Sequence, residues 1–232
     1  EKVVARVARL RGGVRAMKGE FSGGTAASLG ATMAALEKNP ALFEVLANPF
    51  SLSNGFTGPD QPADNAIYED DVIGQWVAPF IMAAINTKNI HRSNALLGHA
   101  YGKDFTYDEM MVTGSGDAGK QMAEFAASVN PLAGDDVPQP GEGPSRESRE
   151  AGNYDILFVG TDADGNRMEA SVSGDLDPGY GSTSRMLGES AVCLITDCAD
   201  LEGGIYTPAP AMGEKLITRL VDNAGLTFKL ES

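Results

Sequence analysis

The chain has 232 residues, enough to bury a sizeable core, and we expect one domain over residues 1–232. Its 32 acidic residues against 18 basic ones give a formal net charge of −14, which repels nucleic acid and other polyanions. No segment reaches the roughly 20 apolar residues of a membrane span, and we expect no signal peptide. The two cysteines, Cys193 and Cys198, are predicted to be buried free thiols that do not pair with each other, as suits a cytoplasmic protein.

The N-terminal segment alternates between strand and helix patterns. Two strands are predicted on either side of Gly12-Gly13, in residues 2–10 and 14–21. A turn follows and opens a helix that stops before Asn39-Pro40, with an apolar stripe made of Ala26, Leu29, Met33 and Leu36. A short helix at 41–47 leads into a loop at 48–65, whose length is typical of a functional or disordered segment.

The middle of the chain is predicted to contain two helices separated by a strand. Residues 77–98 change from apolar to polar without a turn signal, which favours one helix that enters the core and emerges at a polar end. Residues 105–112 fit a strand. Asp117 can then cap a second helix, whose inward face is predicted to consist of Met122, Phe125, Ala126 and Val129.

The segment 131–152 has the most disordered-looking composition in the chain, and it fits either a linker or an ordered lid. The segment after it is easier to interpret, because Asp164-Gly165 favours a two-residue hairpin turn. Pairing around that turn predicts two cross-strand pairs, which are Leu157 with Val172 and Val159 with Ala170.

Residues 177–194 combine a glycine-rich turn with an apolar-faced helix, and the same device occurs at Ser22 to Thr25. The predicted inward stripe of this later helix is Leu187, Ala191, Leu194 and Cys198. Free N–H groups at the start of a helix favour a carboxylate or phosphate, so the turn from Gly179 to Thr183 is a candidate anion site. The alternative is that Ser182 and Thr183 do no more than cap the helix.

The C-terminal segment predicts an amphipathic helix, with Met212, Leu216 and Leu220 inward, followed by an alternating strand at 226–230. Strands come mostly as neighbours or hairpins, with helices between the groups. We therefore predict an α+β fold with a mixed, largely antiparallel sheet covered by helices and without a Rossmann nucleotide-binding unit.

Two short motifs carry possible chemistry. Residues 114–119, GSGDAG, match the pattern G-x-G-x-x-G, but the acidic end of a second strand is missing at the expected distance, so no cofactor site is predicted here. Arg92 and Asn94 could bind a carboxylate or carbonyl, or they could satisfy the end of their own helix. His91 and His99 have no partner at metal-ligand spacing, so no metal site is predicted.

Seven tracts in order along the chain, spread between residues 22 and 213, resemble one enzyme family. They are SGGTAASL at 22–29, NPFSLS at 48–53, APFIMAAINT at 78–87, RSNALLG at 92–98, PGEGPSRESRE at 140–150, DPGYGSTSRMLGESAVCL at 177–194 and TPAPAMG at 207–213. The chain resembles the C-terminal part of the saccharopine dehydrogenase-like reductases, a family that includes the trans-acting enoyl reductases.

The resemblance implies that this chain is the substrate-binding and dimerisation domain of a larger oxidoreductase. Its own N-terminal Rossmann domain would bind NADP or NAD, so this part alone is expected to hold no cofactor and to be inactive. The alternative is a non-catalytic domain of the same lineage that binds a small ligand or serves assembly. Expected partners are the Rossmann domain, a second copy of the chain and a small-molecule substrate. The catalytic residues are not identified, and the candidate substrate-binding residues are Ser22, Gly23, Gly24, Thr25, Asn86, Arg92, Asn94, Tyr180, Gly181, Ser182 and Thr183.

Overall fold

A computed structural model describes residues 6–129 and 137–231. Its elements are, in chain order, β1 (Arg9–Lys18), α1 (Gly23–Lys38), α2 (Leu42–Ala47), β2 (Tyr68–Asp70), β3 (Gln75–Pro79), α3 (Ala83–Leu96), β4 (Thr106–Gly114), α4 (Gly116–Ser128), α5 (Arg146–Glu150), β5 (Asn153–Thr161), β6 (Arg167–Gly174), α6 (Gly181–Thr196), α7 (Pro208–Ala224) and β7 (Leu226–Leu230). No helix among these is long and apolar enough to cross a membrane.

The strands form one sheet in the order β2-β3-β4-β1-β5-β6-β7. Within the described ranges, β1 and β4 form the one parallel pair, and every other neighbouring pair is antiparallel. A Rossmann unit needs adjacent parallel strands joined by helices, which this strand order does not provide. The predicted α+β fold with a mixed, largely antiparallel sheet is therefore confirmed.

Three helices cover one face of the sheet. Val14 on β1 packs with Phe80 and Ala83 at the start of α3, while Val172 on β6 packs with α7. Ile156 on β5 lies between them, directly opposite both Val14 and Val172, and residues opposite each other in a sheet share a face. Helix α6 packs beside α7 on the same side, because both contribute to the cluster around Val172.

The β2–β3 turn covers part of the opposite face. Arg167 on β6 donates to the Val72 carbonyl at 2.6 Å, although four strands separate β6 from β2 in the sheet. The sheet must therefore curl strongly for these groups to meet. Arg11 lies almost fully buried under this turn and forms an ion pair with Asp70 at 3.2 Å.

Strand β1 runs unbroken through Gly12-Gly13, so the prediction of two separate strands is wrong. The glycines allow close packing instead of marking a turn. A Cβ atom on Gly12 would lie 3.0 Å from the Tyr107 hydroxyl oxygen, and one on Gly13 would lie 3.0 Å from Val112 Cγ2. Residues 2–5 of the first predicted strand lie outside the described residues.

The predicted single helix at 77–98 is wrong in its first part. Val77 and Ala78 belong to β3 and pair with Val112 and Met111 of β4, and α3 begins only at Ala83. A fully buried strand has an uninterrupted run of apolar residues. The sequence pattern alone therefore does not distinguish it from a buried helix. Pro79 ends the strand, as expected of a residue that cannot donate to a ladder.

The inward faces of α1, α4 and α6 also differ from the predictions. Phe125 is 64% exposed and Leu187 is 71% exposed, and Met33, Met122 and Leu194 are exposed as well. Small residues occupy the buried sides instead, such as Gly119 and Ala123 in α4. A Cβ on Gly119 would lie 2.1 Å from the Gly114 carbonyl oxygen, so close backbone approach decides which side of α4 is buried. Only α7 buries its predicted stripe, which consists of Met212, Leu216 and Leu220.

The β5–β6 hairpin is confirmed, but its predicted register is off by one residue. Leu157 lies opposite Ser171, and Val159 lies opposite Glu169. The connecting loop is one residue longer than predicted, because the Asp162 carboxylate accepts bonds from the Asp164 and Asn166 backbone N–H groups at 3.0 and 2.8 Å. A side chain that satisfies the turn in this way favours a three-residue loop with a left-handed residue, here Gly165 at φ 80°.

Residues 137–152 form the described part of the polar segment at 131–152, and residues 130–136 lie outside the described residues. Its backbone packs on the start of α1, where the Gly23 N–H donates to the Glu142 carbonyl at 3.0 Å. Residues 146–150 form α5. Residues 137–152 therefore pack against the start of α1.

Cys193 and Cys198 are buried free thiols, as predicted, although α6 ends before Cys198.

Candidate functional site

The two turns rich in glycine and hydroxyl groups meet in space at the Tyr180 side chain. The Ser22 backbone N–H donates to the Tyr180 hydroxyl oxygen at 2.7 Å, and Ser22 Oγ lies 2.8 Å from the same oxygen. Thr25 Oγ1 lies 2.7 Å from it. Tyr180 thus joins the N-terminus of α6 to the N-terminus of α1, and three of the predicted site residues form one hydrogen-bonded group.

The turn from Gly179 to Thr183 was predicted to offer its backbone N–H groups to an anionic ligand, but Asp177 accepts hydrogen bonds from several of these groups. Its carboxylate accepts from the N–H groups of Gly179, Tyr180 and Gly181, at 3.0, 3.0 and 2.5 Å. The side chain is almost fully buried, so this cap belongs to the fold. A substrate carboxylate would have to displace Asp177 to reach these donors.

The remaining residues of the α6 turn have structural contacts. Ser182 is buried and lies 2.9 Å from the Tyr154 hydroxyl, and Thr183 Oγ1 donates to the Pro178 carbonyl. Gly181 lies so close to Asp177 that a Cβ would be 2.7 Å from Asp177 Oδ2. On the α1 side, Gly23 is buried beneath the 137–142 loop, whereas Gly24 is exposed.

A mostly apolar cavity of about 380 Å³ opens beside this hydroxyl group. Its polar lining comes from both turns and from Glu20, which is the one charged side chain in the lining. Its apolar lining comes from the ends of β1 and β3 and from the segments that follow them. The lining residues are Met17, Gly19, Glu20, Phe21, Thr25, Phe80, Ile81, Met82, Pro178, Gly179, Tyr180 and Thr183.

The predicted site residues of α3 do not line this cavity. Arg92 donates to the carbonyls of Leu52 and Ile205 at 2.9 and 2.7 Å, so it joins two loops. Asn94 is buried and bonds the backbone of Tyr101 and Gly102. Neither side chain satisfies the last carbonyls of α3, because Arg92 bonds two distant loops and Asn94 bonds the loop that follows the helix.

Asn86 serves a buried carboxyl group and lies outside the cavity lining. Its amide donates to Glu109 at 2.7 Å. Burial raises the pKa of the Glu109 carboxyl, while hydrogen bonds from Asn86 and Tyr107 oppose that rise. His91 is also a core residue, since its ring centroid lies 4.4 Å from that of Phe50. Burial lowers its pKa to about 4.

Tyr180 differs electrostatically from the other tyrosines around it. Burial raises the pKa of the Tyr180 phenol, but the hydrogen bonds from Ser22 and Thr25 outweigh burial and hold the pKa below its ordinary value. For the Tyr154 phenol, burial outweighs the hydrogen bond with Ser182, so its pKa is raised above the ordinary value. Of these two phenols, Tyr180 is the one whose pKa is lowered, and it lines the cavity.

A second cavity, of about 530 Å³, lies between α2, α3 and the loop at 48–64. It is larger than the first cavity. It is also more polar, because its lining includes Asp60, Asp64, Lys88 and Tyr107. We place the candidate site at the smaller cavity, because that is where residues from both turns and from two strand ends converge. In the described ranges, no group of His, Cys, Asp and Glu side chains could hold a metal ion.

Sequence reasoning did not identify Asp177 or the apolar residues at the strand ends. The sequence did contain an indication of Asp177, since an aspartate shortly before a helix can accept hydrogen bonds from the N–H groups that follow it. Phe80, Ile81 and Met82 had none, because the prediction placed them inside a helix.

Three similar proteins found by comparison with known proteins are named trans-acting enoyl reductases. A provisionally named trans-acting enoyl reductase of Mycobacterium tuberculosis is 37% identical over 238 residues, which is 89% of this chain and 56% of the relative. The chain is similar to trans-acting enoyl reductases. One from Mycobacterium ulcerans is 32% identical, with 86% of this chain and 54% of the relative aligned, and one from Mycobacterium bovis is 31% identical with the same coverage.

The chain spans about half the length of these trans-acting enoyl reductases. Their name describes an oxidoreductase that acts on an enoyl group. No protein-family model matches the chain, and no solved structure matches it.

Proposed function

We propose that this chain is the substrate-binding and dimerisation domain of an NAD(P)-dependent enoyl reductase of the saccharopine dehydrogenase-like lineage. The observation that carries the proposal is the apolar cavity beside the Tyr180 hydroxyl group, in a chain whose relatives are named enoyl reductases. Among the predicted site residues we retain Ser22, Thr25, Tyr180 and Thr183. Asn86, Arg92 and Asn94 support the surrounding fold.

The lining of the cavity suits a molecule with an apolar chain and one polar end. Met17, Phe21, Phe80 and Met82 offer apolar contacts, and burying an apolar chain against them is favourable at about 25 cal/mol per Å². Thr25, Tyr180 and Thr183 also line the cavity, and each carries a hydroxyl group. An α,β-unsaturated acyl group fits this division, with its hydrocarbon tail against the apolar wall and its carbonyl towards the hydroxyl groups.

The dinucleotide would bind to a separate Rossmann domain of the same protein. Within this chain, the glycines of the 114–119 pattern have structural roles, because Gly114 and Gly116 adopt φ angles of 108° and 63° and Gly119 packs against the Gly114 carbonyl. Such φ values favour glycine whether or not a ligand is near. The proposal therefore assigns the chain no cofactor of its own.

The proposal is tested with two proteins, the 232-residue chain and the full-length protein that carries it. We expect the full-length protein to oxidise NADPH or NADH in the presence of a decenoyl thioester. The chain alone should show neither turnover nor dinucleotide binding by calorimetry. A dissociation constant in the micromolar range for the isolated chain would contradict this division of roles.

A cavity-filling variant connects that activity to the site. Ile81→Trp should raise the KM for the decenoyl thioester at least about ten-fold, with a smaller effect on a crotonyl thioester, because the ring would occupy space needed by a long tail. Ile195→Trp is the matched control, since Ile195 is exposed on α6 and does not line the cavity. Equal KM values for both substrates in Ile81→Trp and wild type would move the substrate site elsewhere.

The proposed dimer rests on a separate observation, the edge strand β7. This strand ends the order of the sheet, and Leu230 on it is 73% exposed. Open edges readily pair with another strand, and antiparallel pairing of two β7 strands would cover both. We expect light scattering to show a homodimer that Leu230→Glu dissociates, whereas a single 24.3 kDa species at high concentration would contradict it.

A further inference from the structure

The Tyr180 hydroxyl oxygen is surrounded by groups that can donate to it. The Ser22 backbone N–H donates at 2.7 Å, the phenol itself donates to Ser22 Oγ at 2.8 Å, and Thr25 Oγ1 lies at 2.7 Å. Once the phenol has lost its proton, the hydroxyl groups of Ser22 and Thr25 can each rotate a hydrogen towards its oxygen. These groups lie at the first turn of α1, where the helix dipole favours negative charge. A phenolate at this position would therefore be stabilised by three hydrogen bonds and by the helix.

The charged groups that face Tyr180 oppose this stabilisation only weakly. Asp177 precedes it on the same turn, but that carboxylate is directed to backbone N–H groups. Glu20 lines the cavity and accepts a hydrogen bond from Ser148 Oγ at 2.7 Å. On α1 the facing residues are Ser22 and Thr25, which are uncharged. Burial and the Asp177 charge raise the pKa of the phenol, and the hydrogen bonds with Ser22 and Thr25 together outweigh them.

We propose that Tyr180 is the catalytic acid that protonates the substrate in the cavity, an inference that rests on the proposed enoyl reductase function. Tyr180 lines the cavity together with Thr25, and it presents the one hydroxyl group there whose conjugate base has three donors. Thr25 and Ser22 are positioning residues, because they act through the phenol.

Reduction of the enoyl group adds one hydride and one proton to it. A reduced nicotinamide dinucleotide, held outside this chain, would supply a hydride to the β-carbon of the enoyl group and would itself be oxidised. The electron pair of the carbon–carbon double bond shifts towards the carbonyl and forms an enolate. Tyr180 gives its hydroxyl proton to the α-carbon and becomes a phenolate, which then takes a proton from water. The product is the saturated acyl group.

A spectroscopic titration of the 232-residue chain tests the acid without any turnover. Phenolate absorbs in the ultraviolet more strongly than phenol does, and an ordinary tyrosine titrates at about 10. We expect the wild-type chain to form one phenolate below that pH, and Tyr180→Phe to lose that component. Thr25→Val should move it to higher pH, because the variant removes one donor and keeps the phenol. Tyr206→Phe is the control, since Tyr206 does not contact this group and should leave the component unchanged.

Kinetics of the full-length protein separate catalysis from anchoring. Tyr180→Phe should lower kcat at least about 100-fold, as expected for a lost general acid. The pH profile of kcat/KM should fall as pH rises through the pKa of Tyr180, and Thr25→Val should move this fall to higher pH. A tyrosine that only anchored α1 would lower the melting temperature and leave the pH profile in place.

The outcomes distinguish the two proposals. If wild type reduces the enoyl thioester and folded Tyr180→Phe keeps kcat within about two-fold, Tyr180 is not the acid and the proposed function stands. An unchanged phenolate titration in Tyr180→Phe would overturn the inference in the same way. If wild type reduces no enoyl substrate, the proposed function fails and the catalytic role of Tyr180 fails with it.

Discussion

Replacing Asp177 with alanine is expected to lower the free energy of unfolding by about 3 kcal/mol. The Asp177 carboxylate accepts three backbone N–H groups at the start of α6 and is almost fully buried. Alanine would remove the cap and leave those donors without an acceptor in a place that water reaches poorly. Urea denaturation followed by circular dichroism measures the loss.

Two further variants give this experiment its controls. Asp177→Asn keeps the shape and one acceptor oxygen, and asparagine is also a good N-cap, so an intermediate loss is expected. Asp200→Ala removes an exposed aspartate and should change stability by less than about 0.5 kcal/mol. If Asp177→Ala were as stable as Asp200→Ala, the N-terminus of α6 would need no cap and its N–H groups would again be available to a ligand.

Replacing Gly23 with alanine is expected to cost at least about 2 kcal/mol and most of the enzymatic activity. The added Cβ would lie 1.9 Å from the Gln139 carbonyl oxygen and 2.7 Å from that of Pro138, and both belong to a backbone that cannot rotate away. Either the loop or the start of α1 must move. Ser22 would move with α1, and the hydrogen bonds to Tyr180 would be lost.

Gly30→Ala provides a matched comparison in the same helix. A Cβ on Gly30 would meet nothing within 4 Å, and alanine is favoured over glycine inside a helix by about 1 kcal/mol. The same chemical change should therefore stabilise the protein at position 30 and destabilise it at position 23. Thermal melting of both variants checks the two signs, and a stabilised Gly23→Ala would contradict the close packing of the 137–142 loop on α1.

Sequence alone determined the features that depend on local chemistry. The α7 stripe was predicted correctly because Met212, Leu216 and Leu220 follow one helical face and Gly225 ends it in the left-handed conformation. A helix after the turn at 22–25 that stops before Asn39-Pro40 was also predicted, although α1 already begins at Gly23, with Ser22 as its N-cap. The class of the fold followed from the order of strands and helices. These features involve residues close together in the chain, so their patterns contain the necessary information.

Tertiary structure decided which faces were buried and which residues met. In α4, periodicity placed Phe125 inside, but contact between Gly119 and the Gly114 backbone turned the small residues inward and left Phe125 exposed. Val77 and Ala78 became a strand because β4 was available to pair with them. The contact between Ser22 and Tyr180 joins residues 158 positions apart. No local pattern records such a contact, because it depends on how the sheet and helices bring two distant turns to one place.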